Sequence, residues 1–501
     1  MYREPVGKTA SLIALGKLGF MAGITALLGW GASYSGLAPH TLSVVAVCTF
    51  AAVICTTLFF WTHRVAVAFL GVAVLVGSRA MPLQGLLRAT ELDVILFLVG
   101  MMVIVGALKD LGLLTWVIQS ILNKKMTGTT FTVILCALSA LLSSVIGELS
   151  SIVVVLALVF QVCDTLKVRA TPFVLIAVLC TNIGSSATML GNPAGIFIGN
   201  KAGFSFSQFM LGALPIALVS FVATVIVVLL WYRKSIAEMS RQMEEHRKVH
   251  QGLGPLVRIP HRRGLFVLVA TVLTLAFHQP IETFLGLTGP ENANAFLIVA
   301  PLIIAGLLML YRPQRARYYV EHEVEWWTLL FFMLLFAVAG GLHEQGVTHN
   351  LADKLAAATI GSPKALIPFV LGITAAGSAF VDNIVFVAAF KPVIQSLMEH
   401  SPDYSVLWWA LLFGACFGGN ITVVGSAANI VALGLLEKRG HACIAFAEWL
   451  KIGLVIGALT GAIAWGMLNL LDMPRPACCS TRAPATLALP HENLRPPPPT
   501  Q

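Results

Sequence analysis

The sequence predicts an all-α polytopic membrane protein, with about 11 transmembrane helices plus two re-entrant hairpins in two inverted repeats. Three observations predict it. Of 501 residues, 57% are hydrophobic and 11% charged, with a mean hydropathy of +0.86, whereas soluble domains carry about 25% charged residues. Apolar runs of span length recur along the chain. A constant shift of 234 residues, the step from Glu91 to Glu325 (325 minus 91), brings the two halves into register.

Runs of roughly 17 to 25 apolar residues are long enough to cross a bilayer. They fall near 12–30, 42–61, 65–79, 93–109, 173–196 and 207–232, and again near 265–279, 294–311, 326–342, 405–430 and 452–471. Arg3, Lys8 and Lys17 flank the first run without a small-residue cleavage site, so a retained span is expected rather than a signal peptide. Residues 233–263 hold eight Lys/Arg, three Glu and three His around Gly252, Gly254 and Pro255, which reads as a basic solvated linker. The tail, ending in RPPPPTQ, has the composition of a disordered extension. The chain thus divides into an N-terminal span and loop (1–40), a first repeat (41–232), the linker (233–263), a second repeat (264–472) and the tail (473–501).

Two further apolar regions, 131–163 and 365–398, are too long for one span, and each is interrupted midway by an acid, Glu148 or Asp382. Each suits a hairpin that enters and leaves on the same side. Orientation supports this: with the basic linker cytoplasmic, counting the first region as a hairpin puts Lys124, Lys125, Lys167 and Arg169 inside and the uncharged GASYSGLAPH outside. The N-terminus then lies inside and the C-terminus outside, with Arg79, Arg88 and Lys201 as basic exceptions on the outer face. The net charge of +9 is distributed over short loops between apolar runs, which excludes a nucleic-acid-binding surface. Nine scattered cysteines, without CxxC or a His/Cys cluster, indicate neither a metal site nor a disulfide framework. HExxH, GxSxG and phosphate-binding glycine loops are absent, so the sequence is not read as an enzyme, and no cofactor is expected beyond Na+ or H+ as coupling ion.

The 234-residue register runs from Glu91 to Ile196 without a gap. It places Gly106 on Gly340, Ser144 on Ser378, Glu148 on Asp382, Gly184 on Gly418, Thr188 on Thr422 and Gly191 on Gly425. Each repeat holds five spans and a hairpin, and the odd number turns the second repeat upside down. Secondary transporters use that plan, with their sites near the midplane on discontinuous helices. Two apolar stretches have the matching interruptions. TNIGSSATMLGNPAGIFIG (181–199) and GGNITVVGSAANIVALG (418–434) carry too many glycines and polar residues, and in the first case Pro193, for a continuous helix. Non-helical backbone persists in hydrocarbon only where protein buries it or it lines a cavity.

These features select the candidate residues. A carboxylate deep in a membrane costs about 2.5 to 3.5 kcal/mol on insertion scales and marks an ion or proton site, which singles out Glu148 and Asp382; Asn383 adds an amide oxygen. Asp382 also suits an N-cap for the second hairpin arm. In the breaks, Asn182, Ser185, Ser186, Thr188 and Asn192, and in turn Asn420, Thr422, Ser426 and Asn429, offer oxygens to a cation such as Na+, while the flanking helix N-termini can face an anion. Close helix packing is the alternative use for such small residues. Lys391 is placed either to counter Asp382 or to reach the interface, and Asp110, Glu344, His278 and His322 read as solvated or interfacial span ends.

ELDVILFLVGMMVIVGALKDLG, TNIGSSATMLGNP, SAFVDNIVFVAAFKPV and GGNITVVGSAANIVALGLLEKRGH resemble recurring segments of the ion transporter superfamily. That group includes arsenite permeases, NhaD-type sodium/proton antiporters and sodium/dicarboxylate symporters, and the likeness covers most of residues 91–470. It implies a scaffold and a transport domain, usually in a homodimer in the lipid bilayer, with sites where hairpin tips meet broken helices. Ser144 and Glu148 would face residues 182–195, and Ser378, Asp382 and Asn383 would face residues 418–429. The chain lacks the Ser-Asn-Thr tips of the dicarboxylate branch, and has Gly147-Glu148-Leu149 where the arsenite and antiporter branches resemble Asp-Asn. The expectation is an inner-membrane secondary transporter of a small inorganic ion or anion, sodium/proton antiport-like. The alternatives are arsenite or oxyanion efflux, dicarboxylate transport, and a transport-inactive scaffold.

Overall fold

The computed structural model describes residues 8–60, 63–122, 126–249, 260–286, 294–358, 362–441 and 444–475, so most of the expected tail, part of the linker and Lys124 and Lys125 lie outside it. Helices make up almost all of these residues, and no strand occurs among them. In hydrocarbon a helix is the open-chain solution that pairs every backbone N–H and C=O within one segment. Six helices among the described residues are long and apolar enough to cross a membrane alone, including Leu83–Asp110, Phe206–Trp231, Trp326–Glu344 and Phe446–Leu470. Arg262–Ala276 and His278–Phe284 form a further pair bent by 64°. The expected spans near 65–79 and 294–311 are shorter, at 14 residues (Arg64–Gly77) and 17 residues (Ala295–Tyr311).

Both expected hairpins are present as helix–turn–helix pairs, and the arms of the first, Gly128–Ile146 and Glu148–Leu166, are each long and apolar enough to cross a membrane. The first joins Gly128–Ile146 to Glu148–Leu166 through Gly147, whose φ of 85° favours glycine. The second joins Pro363–Ser378 to Asn383–His400. Both interrupted stretches are broken helices as well. Thr171–Ser185 stops, residues 186–192 run irregularly, and Pro193–Ala202 resumes; in the second repeat the pieces are Val406–Gly418 and Ala427–Lys438. Pro193, with no N–H to satisfy, starts its half-helix at a position where that loss is harmless.

The repeats are inverted. The start of Trp326–Glu344 lies at the end of Leu92–Asp110, since Gly106 abuts Glu323 and Lys109 pairs with Glu323 at 2.6 Å. Its far end lies at the start of that helix, where Gly340 abuts Ala89 and Gly85 abuts the Glu344 carboxylate. Glu91 and Glu325 therefore mark opposite ends of this helix pair.

The structure corrects the ungapped register. Outside the hairpins the 234-residue step holds, as in the starts Leu92 and Trp326 or Pro193 and Ala427. Inside them the step is 235: Gly128 matches Pro363, Glu148 matches Asn383, and Ala140 and Ala375 abut Gly184 and Gly418 in the same way. Glu148 is thus not the structural counterpart of Asp382; Gly147 is, each being the residue before its helix.

The first part of the linker, Arg233–Val249, is an amphipathic helix that buries Ile236, Met239 and Met243. It packs on the base of the first hairpin, where Gly128 N donates to Ser240 Oγ at 2.9 Å. His278, expected at an interface, is buried, with Nδ1 2.9 Å from the Leu275 carbonyl.

Candidate transport site at the hairpin tips

Each hairpin meets its broken helix through the same two kinds of contact. A hydroxyl on the first arm bonds the broken helix: Ser143 Oγ donates to the Thr181 carbonyl at 2.7 Å, and Ser378 Oγ to the Ala415 carbonyl at 2.6 Å. A threonine in the break bonds back to the tip, Thr188 Oγ1 to the Ser144 carbonyl and Thr422 Oγ1 to the Ala379 carbonyl. Side-chain-to-backbone bonds of this kind satisfy the groups that the interrupted helices leave unpaired. The small residues let the backbones approach: a Cβ at Gly184 would lie 2.3 Å from Ala140 Cα, and one at Gly418 would lie 2.5 Å from Ala375 Cα.

At the first junction Glu148 is 3% exposed and its backbone N–H donates to the Gly191 carbonyl at 2.9 Å. Its Oε2 is buried without a protein partner, and the Ser185 hydroxyl lies beside the carboxyl. Asn192 caps the half-helix by accepting from Gly195 N at 2.6 Å, and its Nδ2 reaches Ser185 Oγ at 2.9 Å and Cys416 Sγ at 3.1 Å. A cavity of about 70 Å³ opens here between Glu148, Asn192, Leu190, Met102 and Leu98. Ser186 is buried and bonds the Ile183 carbonyl. The Ser144 hydroxyl turns back to Leu141 of its own helix, so only its carbonyl meets the break. Ser143 takes the place expected for it.

At the second junction Asp382 is 5% exposed and does cap its helix, accepting from Ile384 N at 3.5 Å. Asn383 Oδ1 is buried without a protein partner. Ser426 caps Ala427–Lys438, and Asn429 donates to the carbonyls of Gly419 at 2.8 Å and Thr422 at 2.9 Å, holding the irregular backbone closed. Trp449 braces the same turn by donating to the Asn420 carbonyl at 3.2 Å.

The two breaks touch at the centre. Asn182 Nδ2 donates to Asn420 Oδ1 and to Asn429 Oδ1, both at 2.9 Å, leaving Asn182 Oδ1 and Asn420 Nδ2 buried without protein partners. The junctions thus form one central site, with Glu148 and Asp382 in electrostatic reach of each other. Carboxylate, amide and hydroxyl oxygens with unused lone pairs are ligands for a hard cation or carriers of a proton.

Several participants escape the sequence reading. Arg64 is 4% exposed, lies over the Phe331 ring and reaches Asp382 electrostatically. A basic residue at the start of an apolar run looks like an interfacial anchor, so only the fold brings it to the tip. Cys416 occupies the position matching Asn182 but reads as an apolar filler. Lys391 pairs with Glu91, at the start of another helix, rather than with Asp382.

Buried acids at hairpin tips, broken helices and inverted repeats are the construction of a membrane transporter. The family described as citrate transporter (CitMHS) matches residues 50–414, and the chain belongs to it. It is 32% identical over 380 residues to an uncharacterized transporter of Mycobacterium tuberculosis, covering 74% of this chain and 84% of that protein. A second uncharacterized transporter of that species is 29% identical over 431 residues, 84% of this chain and 96% of the relative. The human P protein is 24% identical over 509 residues, 86% of this chain and 60% of that protein. The YdaH transporter of Alcanivorax borkumensis shares the fold, with a TM-score of 0.53 at 15% identity over 77% of this chain and 86% of its own.

Proposed function

We propose that the chain is a secondary active transporter that works by alternating access in the inner membrane as a homodimer, driven by Na+ or H+ and exchanging cations for protons. The observation that carries this reading is the pair of buried carboxylates, Glu148 and Asp382, at the two tips. A cap alone would use Ser or Asn without the cost of burying a charge. The oxygens of Asn182 and Asn383, unpaired within the protein, complete a set suited to Na+, with Asn192, Thr188, Thr422 and Ser426 holding the breaks in shape. A second reading, carriage of a carboxylate anion, is favoured by Arg64 beside Asp382 and by the family's description as citrate transporters.

Purified protein in liposomes separates the readings. With a trapped pH indicator, added Na+ or Li+ alkalinises the lumen if the protein exchanges cation for proton. Citrate or succinate uptake without cation-driven proton movement supports the anion reading, and flux of neither cations nor carboxylates overturns both.

A further inference from the structure

Glu91 and Glu325 occupy equivalent positions in the two repeats, each immediately before the first helix of the matched segment, at opposite ends of that antiparallel helix pair. Their surroundings differ. Glu91 is 7% exposed and its two oxygens are bridged by Lys201 and Lys391. Lys201, on the half-helix after the first break, also pairs with Asp93 at 2.7 Å, and Lys391 comes from the second arm of the second hairpin. Two acids and two lysines therefore tie a span to a half-helix of one repeat and a hairpin of the other. Glu325 accepts from Thr328 at 3.3 Å and lies within electrostatic reach of Lys109, which is bonded to Glu323, and of Arg64 and Asp382 at the second tip.

A buried ion cluster is a poor source of net stability, because desolvation offsets most of its attraction, and its best-attested use is to fix a register or a switch. Alternating access presents each end of the site in turn. An ion cluster that ties a span to a half-helix and to a hairpin arm must part when those elements separate.

We propose that Glu91, with Lys201 and Lys391, is the latch that closes one gate of the site. The proposal rests on the alternating-access reading. With the basic linker cytoplasmic, the Glu91 end faces outward and the structure is inward-facing. A cavity of about 260 Å³ adjoins Glu91 and Lys391, lined further by Arg88, His343, Glu344 and Gln395, and it gives the parted charges room for water.

Cys416 reports on the gate, because it is buried beside Asn192 at the first junction. In a full-length protein with the other cysteines replaced, right-side-out vesicles are treated with a membrane-impermeant methanethiosulfonate. Glu91→Gln and Lys391→Gln should each raise the labelling rate of Cys416 from outside by about tenfold. The double variant should add little to either, because the two changes break one contact. Folded yield is checked by size-exclusion chromatography, and Lys391→Gln stands in if Glu91→Gln does not fold. Unchanged rates in the folded variants overturn the latch even if ion flux is normal. Altered rates in a protein without flux contradict the transport reading and leave the latch standing.

Discussion

The side-chain amide of Asn182 lies 2.9 Å from Oδ1 of Asn420, joining the broken helix of one repeat to that of the other inside a fully buried centre. The same amide reaches Asn429, whose own amide holds the carbonyls of Gly419 and Thr422. One side chain of the first repeat thus supports the irregular backbone of the second.

Replacing Asn182 should therefore disturb the second break more than the first. Asn182→Ala leaves two amide oxygens buried without a donor, each worth about 1 to 3 kcal/mol. A lower melting temperature in detergent checks the stability effect. Weakened protection of residues 419–426 in hydrogen exchange, with residues 186–192 less affected, checks its direction.

Hairpin packing leads to a second expectation. A methyl group at Gly184 or Gly418 would meet the backbone of Ala140 or Ala375, which cannot step aside as a flexible side chain can. Gly184→Ala and Gly418→Ala should each cost about 1 to 3 kcal/mol or more and lower folded yield. Gly372→Ala, on the hairpin's first arm with open space around it, should be tolerated.

Glu148 gives a third. It caps no helix and has one carboxylate oxygen without a protein partner, so packing alone does not require an acid there. Glu148→Gln should keep the folded yield and melting temperature close to those of the unaltered protein, because Gln matches the buried acid in shape, while removing ion-driven flux. Flux assays and a thermal melt on the same preparation check both halves.

Much of this site was legible because its signals are local. An acid within an apolar run, or asparagines and glycines where a span should be, conflicts with the hydrocarbon environment and points to function. The one-residue slip of the hairpins was not legible. Alignment rewards Ser144 on Ser378 and Glu148 on Asp382, and the compensating changes lie in loops and helix ends where the sequence has no period. Arg64, Ser143 and Cys416 were missed for a related reason, since each is ordinary in its own segment and acquires a role only from what the fold sets beside it. The helix Arg233–Val249 was hidden by its charge, which a linker and the polar face of an amphipathic helix share.

Asp382→Asn in proteoliposomes tests the central claim most directly. Asn caps a helix about as well as Asp does, so the variant keeps the hairpin arm's start and should fold with unchanged yield. The account predicts that Na+- or H+-driven flux falls by about a hundredfold or more, because the tip loses its ionisable oxygen. Flux at the level of the unaltered protein would reduce Asp382 to a cap and contradict the claim that transport runs through the acids at the hairpin tips.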